Sequence, residues 1–70
     1  MSIGERITEL RKMQNLSQGQ LAQAMDVSRQ AVSKWETGAA DPSTANLLAL
    51  AKLYGVSPEE LLRNAQSEDV

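Results

Sequence analysis

Leu16-Ser17-Gln18-Gly19-Gln20-Leu21-Ala22-Gln23-Ala24-Met25-Asp26-Val27-Ser28-Arg29-Gln30-Ala31-Val32-Ser33-Lys34-Trp35-Glu36-Thr37-Gly38 decides the fold, because one helix-start signal is written in it twice. Leu16-Ser17 leads to Leu21, and Val27-Ser28 leads to Val32. In both places a serine stands where an N-cap belongs, able to accept from the first free backbone N–H groups. The apolar residue before it and its counterpart further on have the spacing of a hydrophobic staple. The pattern predicts two short helices meeting at a tight corner, one bracing the other.

The same grammar extends outward. Ser2 with Glu5 reads as a capping box opening helix 1, whose Ile3, Ile7 and Leu10 share a face and which should end near Gln14 or Asn15. Helix 2 opens at Ser17 with Gln20 as box partner, buries Leu21, Ala22 and Met25, and stops before Asp26-Val27; helix 3 runs from Ser28 to just before Gly38. Helix 4 is capped by Ser43 after Asp41-Pro42 and carries Leu47, Leu48, Leu50, Ala51 and Tyr54 on a wide arc, a breadth that predicts the central helix. Gly55 is placed as its C-terminal cap. Val56-Ser57-Pro58, with Glu60 and Leu61 following, opens helix 5 with the signal's third copy. No strand-like alternation occurs, so the predicted class is all-α, five helices in one domain over residues 1–65. Gln66 to Val70 are polar and acidic with no core face and predict a frayed tail. A chain of 70 residues has room for one core, worth about 3–5 kcal/mol of net stability.

Composition removes most enzyme chemistries. There is no Cys and no His, which excludes disulfides, thiol nucleophiles, imidazole bases and zinc sites built from those ligands. Glu59-Glu60 is better read as first-turn charge at a helix start than as a catalytic pair. No catalytic residue, metal or cofactor is therefore expected. Met1-Ser2-Ile3-Gly4-Glu5 does not resemble a secretory leader, which leaves the sequon at Asn15-Leu16-Ser17 idle. The longest all-apolar run, Leu47 to Ala51, is far short of the roughly 20 residues that span a bilayer. These features predict a soluble cytoplasmic protein with no membrane partner.

The formal net charge of −2 argues at first against a nucleic-acid partner. Its distribution argues otherwise. Residues 1–34 carry Arg6, Arg11, Lys12, Arg29 and Lys34 against Glu5, Glu9 and Asp26, whereas the remainder carries six acids against Lys52 and Arg63. A basic half suggests a phosphate-facing side, its field screened within about 8–10 Å; an ordinary mixed surface would read the same way.

On a helical wheel of about 100° per residue, helix 3 separates into two faces. Ala31, Val32 and Trp35 cluster on one; Arg29, Gln30, Ser33, Lys34 and Thr37 fall on the other. The second face holds a fork of donors, an amide, a hydroxyl and a cation. Arg pairs bidentately with guanine O6 and N7, Gln with adenine N6 and N7, and Ser and Lys adapt to either base edge or phosphate. Any exposed helix face is polar, so this face points to DNA only through its surroundings.

Those surroundings, Leu16-Ser17-Gln18, Leu21-Ala22, Val27-Ser28, Val32-Ser33, Trp35-Glu36 and Gly38, followed by Pro42 and the Leu-rich helix, resemble the Cro/cI-type helix-turn-helix repressors, the XRE family. The likeness runs from helix 1 to Leu62. It implies a five-helix, lambda-repressor-like domain whose helix 3 reads the major groove of double-stranded DNA while the start of helix 2 is anchored on a phosphate. Carried over by position, it implies base contacts from Arg29, Gln30, Ser33 and Lys34. Backbone contacts would come from Gln18 at the helix 2 N-terminus, from Gln23 and Ser28, and from Thr37 beside Gly38. Arg11 and Glu36 stand where the family places a structural ion pair joining helix 1 to the end of helix 3. Ala39, Ala40 and Asp41 replace the basic residues many relatives carry after the Gly, which implies weaker backbone clamping.

The resemblance also implies a homodimer on half-sites about one turn, roughly 34 Å, apart, with Leu53, Leu61 and Leu62 as candidate interface residues or else plain core. The function implied is a transcriptional repressor. Two alternatives share the fold: an antitoxin that also binds a toxin protein, and a module that binds a protein co-regulator without DNA.

Overall fold

The computed structural model describes residues 2–65. Five α-helices follow in order: α1 Ile3–Met13, α2 Gln18–Met25, α3 Arg29–Thr37, α4 Thr44–Tyr54 and α5 Pro58–Ala65, with no strand among the described residues. The expected tail at 66–70 lies outside the described residues. Each helix begins on a serine whose hydroxyl accepts from the backbone N–H three residues on: Ser2 from Glu5, Ser17 from Gln20, Ser28 from Ala31, Ser43 from Asn46 and Ser57 from Glu60, at 3.0–3.2 Å. At Ser2 and Ser17 the box closes both ways, the Glu5 and Gln20 side chains accepting from the cap's own N–H at 2.8 Å. Such caps satisfy donors that an α-helix leaves free at its start. Gly38 and Gly55 end α3 and α4 with φ of 85° and 73°, left-handed values that glycine adopts without steric penalty.

All five helices contribute to one core: Ile7 and Leu10, Leu21 and Ala22, Val32 and Trp35, Leu50, Ala51 and Tyr54, and Leu61. Leu16, Val27 and Val56, the apolar residues ahead of three of the caps, pack against it. α1 lies against α3 and α5, α2 against α3 and α4, and α4 against α5.

The structure corrects two expectations. α4 is not the central helix; the most extensive packing runs from α1 to α3 and α5, and from α2 to α3. Only Leu50, Ala51 and Tyr54 of the predicted arc are buried, with Leu47 at the edge, while Leu48 is 52% exposed. The arc is simply wider than the surface α2 and α5 offer it. Leu61 is fully buried core, whereas Leu53 and Leu62 are 37% and 39% exposed.

The α1–α3 seam depends on Gly4, which is buried. A Cβ added there would collide with the Trp35 carbonyl oxygen and lie 2.8 Å from that of Glu36. The backbones of α1 and the C-terminal turn of α3 are thus as close as a glycine allows. Alanine ordinarily stabilises a helix relative to glycine by about 0.5–1 kcal/mol. Here the clash should reverse the sign: Gly4→Ala is expected to lose about 1–3 kcal/mol in urea unfolding. A raised midpoint would contradict the close approach.

Candidate nucleic-acid interface

The corner between α2 and α3 is made by Asp26, Val27 and Ser28. α2 stops because Asp26 turns left-handed (φ 59°, ψ 44°), and the Val27 N–H folds back onto the Ala22 carbonyl at 3.0 Å. Aspartate visits this region more readily than most residues. Val27 then packs on the core and Ser28 caps α3, which fixes where the second helix emerges.

α3 presents the two predicted faces. Val32 and Trp35 are buried and Ala31 lies at the edge of the core; Arg29, Gln30, Lys34 and Thr37 are exposed, and Ser33 is half-buried. A Cβ on Gly19 would stand 3.8 Å from Arg29 Cδ, so the aliphatic stem of Arg29 lies alongside the first turn of α2. The start of α2 and the start of α3 therefore adjoin on one surface. Two hydroxyls of this region have internal partners: Ser28 Oγ accepts from Ala31 N–H at 3.1 Å, and Thr37 Oγ1 donates to the Lys34 carbonyl at 3.3 Å. Gln23 is exposed one turn beyond Gly19 on α2.

Read from the sequence, Gln18 and the Arg11–Glu36 pair are separate features. In the structure they share one carboxylate. Arg11 Nε donates to Glu36 Oε2 at 2.6 Å and its Nη2 to Oε1 at 3.1 Å, while Gln18 Nε2 donates to Oε1 at 2.9 Å. Arg11 Nη1 donates to the Leu16 carbonyl at 2.8 Å, tying down the loop that enters α2. The side chains are nearly sealed, at 12% exposure for Arg11 and 6% for Glu36. Thr8 stands within reach of Glu36 and also of the Gly4 carbonyl, 2.9 Å away; with one proton to give, it serves one acceptor at a time.

Opposing effects act on Glu36. Burial pushes its carboxyl up, but the hydrogen bonds from Arg11 and Gln18, with the charge of Arg11, outweigh it and hold the group below its ordinary value. The hydrogen bond to Glu36 in turn raises Arg11, against the opposing effect of burial. Both stay charged at neutral pH. Tyr54 ties α4 to α1, its hydroxyl donating to the Ile7 carbonyl at 3.4 Å. Burial, reinforced by the negative charge of Glu36, pushes its phenol up to about 12.

Neither Gly4 nor the Gln18–Glu36 bond is legible from motif matching. One signal was available: Gly4, Thr8 and Arg11 stand at helical spacing on α1 beside its apolar face, a stripe suited to a close neighbour. Among the described residues no cluster of carboxylates suits a metal ion, and no helix is long and apolar enough to cross a membrane.

Comparison with known proteins agrees with this arrangement. A family model described as Helix-turn-helix matches residues 7–61. The transcriptional activator BcrR of Enterococcus faecalis is 42% identical over 62 residues, covering 89% of this chain and 30% of its own length. The regulator DicA of Escherichia coli is 42% identical over 62 residues, 89% of this chain and 46% of its own. The chain thus spans less than half the length of these curated relatives. Among solved structures, the P22 c2 repressor in complex with a synthetic operator superposes with a TM-score of 0.81 at 39% identity, over 87% of this chain and 92% of that one.

The Tyr54 environment gives a direct check. A raised value means that the fold favours the neutral phenol, so this stabilisation is complete below the ordinary 10.0 and is lost as pH rises through about 12. Tyr54 is the chain's single tyrosine. Phenolate absorbance of the folded protein should rise near pH 12, against about 10 for the urea-unfolded chain. Coincident midpoints would contradict its burial beside Glu36.

Proposed function

The chain belongs to the helix-turn-helix family of Cro/cI-type regulators, and on that premise we propose that it regulates transcription by binding double-stranded DNA sequence-specifically in the cytoplasm. One observation carries the reading. The exposed, donor-rich face of α3 adjoins the first turn of α2, so base-reading and phosphate-holding groups lie on one surface. Among its relatives, the P22 c2 repressor was solved with operator DNA bound.

In this reading α3 enters the major groove. Arg29, Gln30, Ser33 and Lys34 meet base edges; Gln18, Gln23, Ser28 and Thr37 hold the flanking backbone. The N-terminus of α2 suits an anion because its free N–H groups and its dipole both favour negative charge. One α3 covers only a few base pairs, so two copies act together, which makes the functional unit a homodimer on a palindromic operator. Exposed Leu53 and Leu62 supply apolar surface for that association. Occupancy of the operator suffices for repression. Ala39, Ala40 and Asp41, all exposed, add no cation to the backbone contacts, which favours moderate affinity.

Selection of bound sequences from a random DNA pool tests binding, symmetry and preference together. A palindromic consensus is expected, with affinity falling as salt rises; absence of any salt-dependent binding would sink the proposal. Arg29→Ala should lose about 1–3 kcal/mol on the selected site and relax preference at one position. Gln18→Ala should weaken all sequences alike, since phosphates carry no sequence information directly. Equal weakening on every sequence by Arg29→Ala would move Arg29 from the bases to the backbone.

A further inference from the structure

The Glu36 carboxylate is arranged for more than its ion pair. Arg11 occupies both of its oxygens, yet Oε1 also takes a proton from the amide of Gln18, which stands at the first position of α2. An amide nitrogen carries two protons. With one given to Glu36, the second is directed away from the carboxylate, and the side chain's rotation is restricted. We propose that Glu36 is a positioning residue for Gln18: it pre-orients the amide so that the free N–H is presented to a DNA phosphate at the start of α2. This rests on the DNA-binding reading above.

Two features support the assignment. A free glutamine side chain loses rotamer freedom when it docks, and a side chain already ordered in the unbound protein avoids that loss. A bare carboxylate so close to an anion site would repel the phosphate; Arg11 cancels that charge through a bidentate contact, and its third hydrogen bond, to the Leu16 carbonyl, holds the loop leading into α2. Arg11, Glu36 and Gln18 therefore join α1, the end of α3 and the start of α2 in one hydrogen-bonded chain. Through it the angle of the reading helix and the orientation of the anchor are set together.

The first test needs no DNA. In the free 70-residue chain, NMR should show one Gln18 side-chain NH2 proton shifted away from its position in a free glutamine, and a side-chain 15N relaxation as slow as the backbone's; free-glutamine shifts with fast side-chain motion would overturn the proposal even if DNA binding is real. The second measures affinity on the selected operator in two backgrounds. In the wild type, Gln18→Ala should weaken binding about tenfold, the scale of a hydrogen bond to a charged group. In a chain carrying Arg11→Met and Glu36→Leu, where nothing orients Gln18, the same substitution should change affinity less than about twofold. An equal loss in both backgrounds would make Glu36 merely structural. Ordered Gln18 signals with no DNA binding by the wild type would contradict the DNA reading instead, and if the doubly substituted chain does not fold, the NMR measurement decides.

Discussion

The carboxylate of Glu36, sealed between α1 and α3, is the constraint on which the rest of the structure depends. A buried ion pair contributes little net stability when complete but is expensive to break, because the survivor is an uncompensated charge away from water. Here both oxygens of the acid are held, and Arg11 is bonded additionally to the Leu16 carbonyl. Gly4 makes the geometry possible by letting α1 rest on the last carbonyls of α3. Three of the five helices thereby meet at one carboxylate, Arg11 of α1 and Gln18 of α2 both donating to Glu36 of α3.

A helix fixed in this way can be read as a rigid surface. Val32 and Trp35 seal its inner side, Ser28 and Gly38 close its two ends, and the residues left outward are those able to pair with base edges. Charge follows the same division. Glu36, which lies in α3 itself, is neutralised internally by Arg11, while Arg29 and Lys34 remain exposed on the outward face of that helix. A formal charge of −2 is therefore compatible with a locally basic face.

Much of this was legible in the sequence, for identifiable reasons. Helix boundaries were readable because all five starts use a serine cap whose chemistry is local, complete within three residues. The faces of α3 were readable because helical periodicity alone separates Val32 and Trp35 from Arg29, Gln30 and Lys34. Tertiary choices were not. Leu48 and Leu50 look alike in sequence, and only the limited area of α2 and α5 leaves one exposed and buries the other. The Gly4 contact and the sharing of Glu36 between Arg11 and Gln18 both join residues distant in the chain, and no local pattern encodes such a meeting. The outward residues of α3 were thus visible as a set, whereas the bond from Gln18 to Glu36 emerged only from the fold.

The most direct measurement of this account is urea unfolding at neutral pH, followed through the fluorescence of the chain's single tryptophan, Trp35, which lies next to Glu36 in α3. Two variants are compared with the wild type. Arg11→Met alone strands the Glu36 carboxylate and should cost about 3–5 kcal/mol, enough to leave so small a domain largely unfolded. Arg11→Met with Glu36→Leu removes the stranded charge as well and should recover most of that loss. A singly substituted chain within about 0.5 kcal/mol of the wild type, the range of ordinary surface changes, would contradict the central role assigned to the pair.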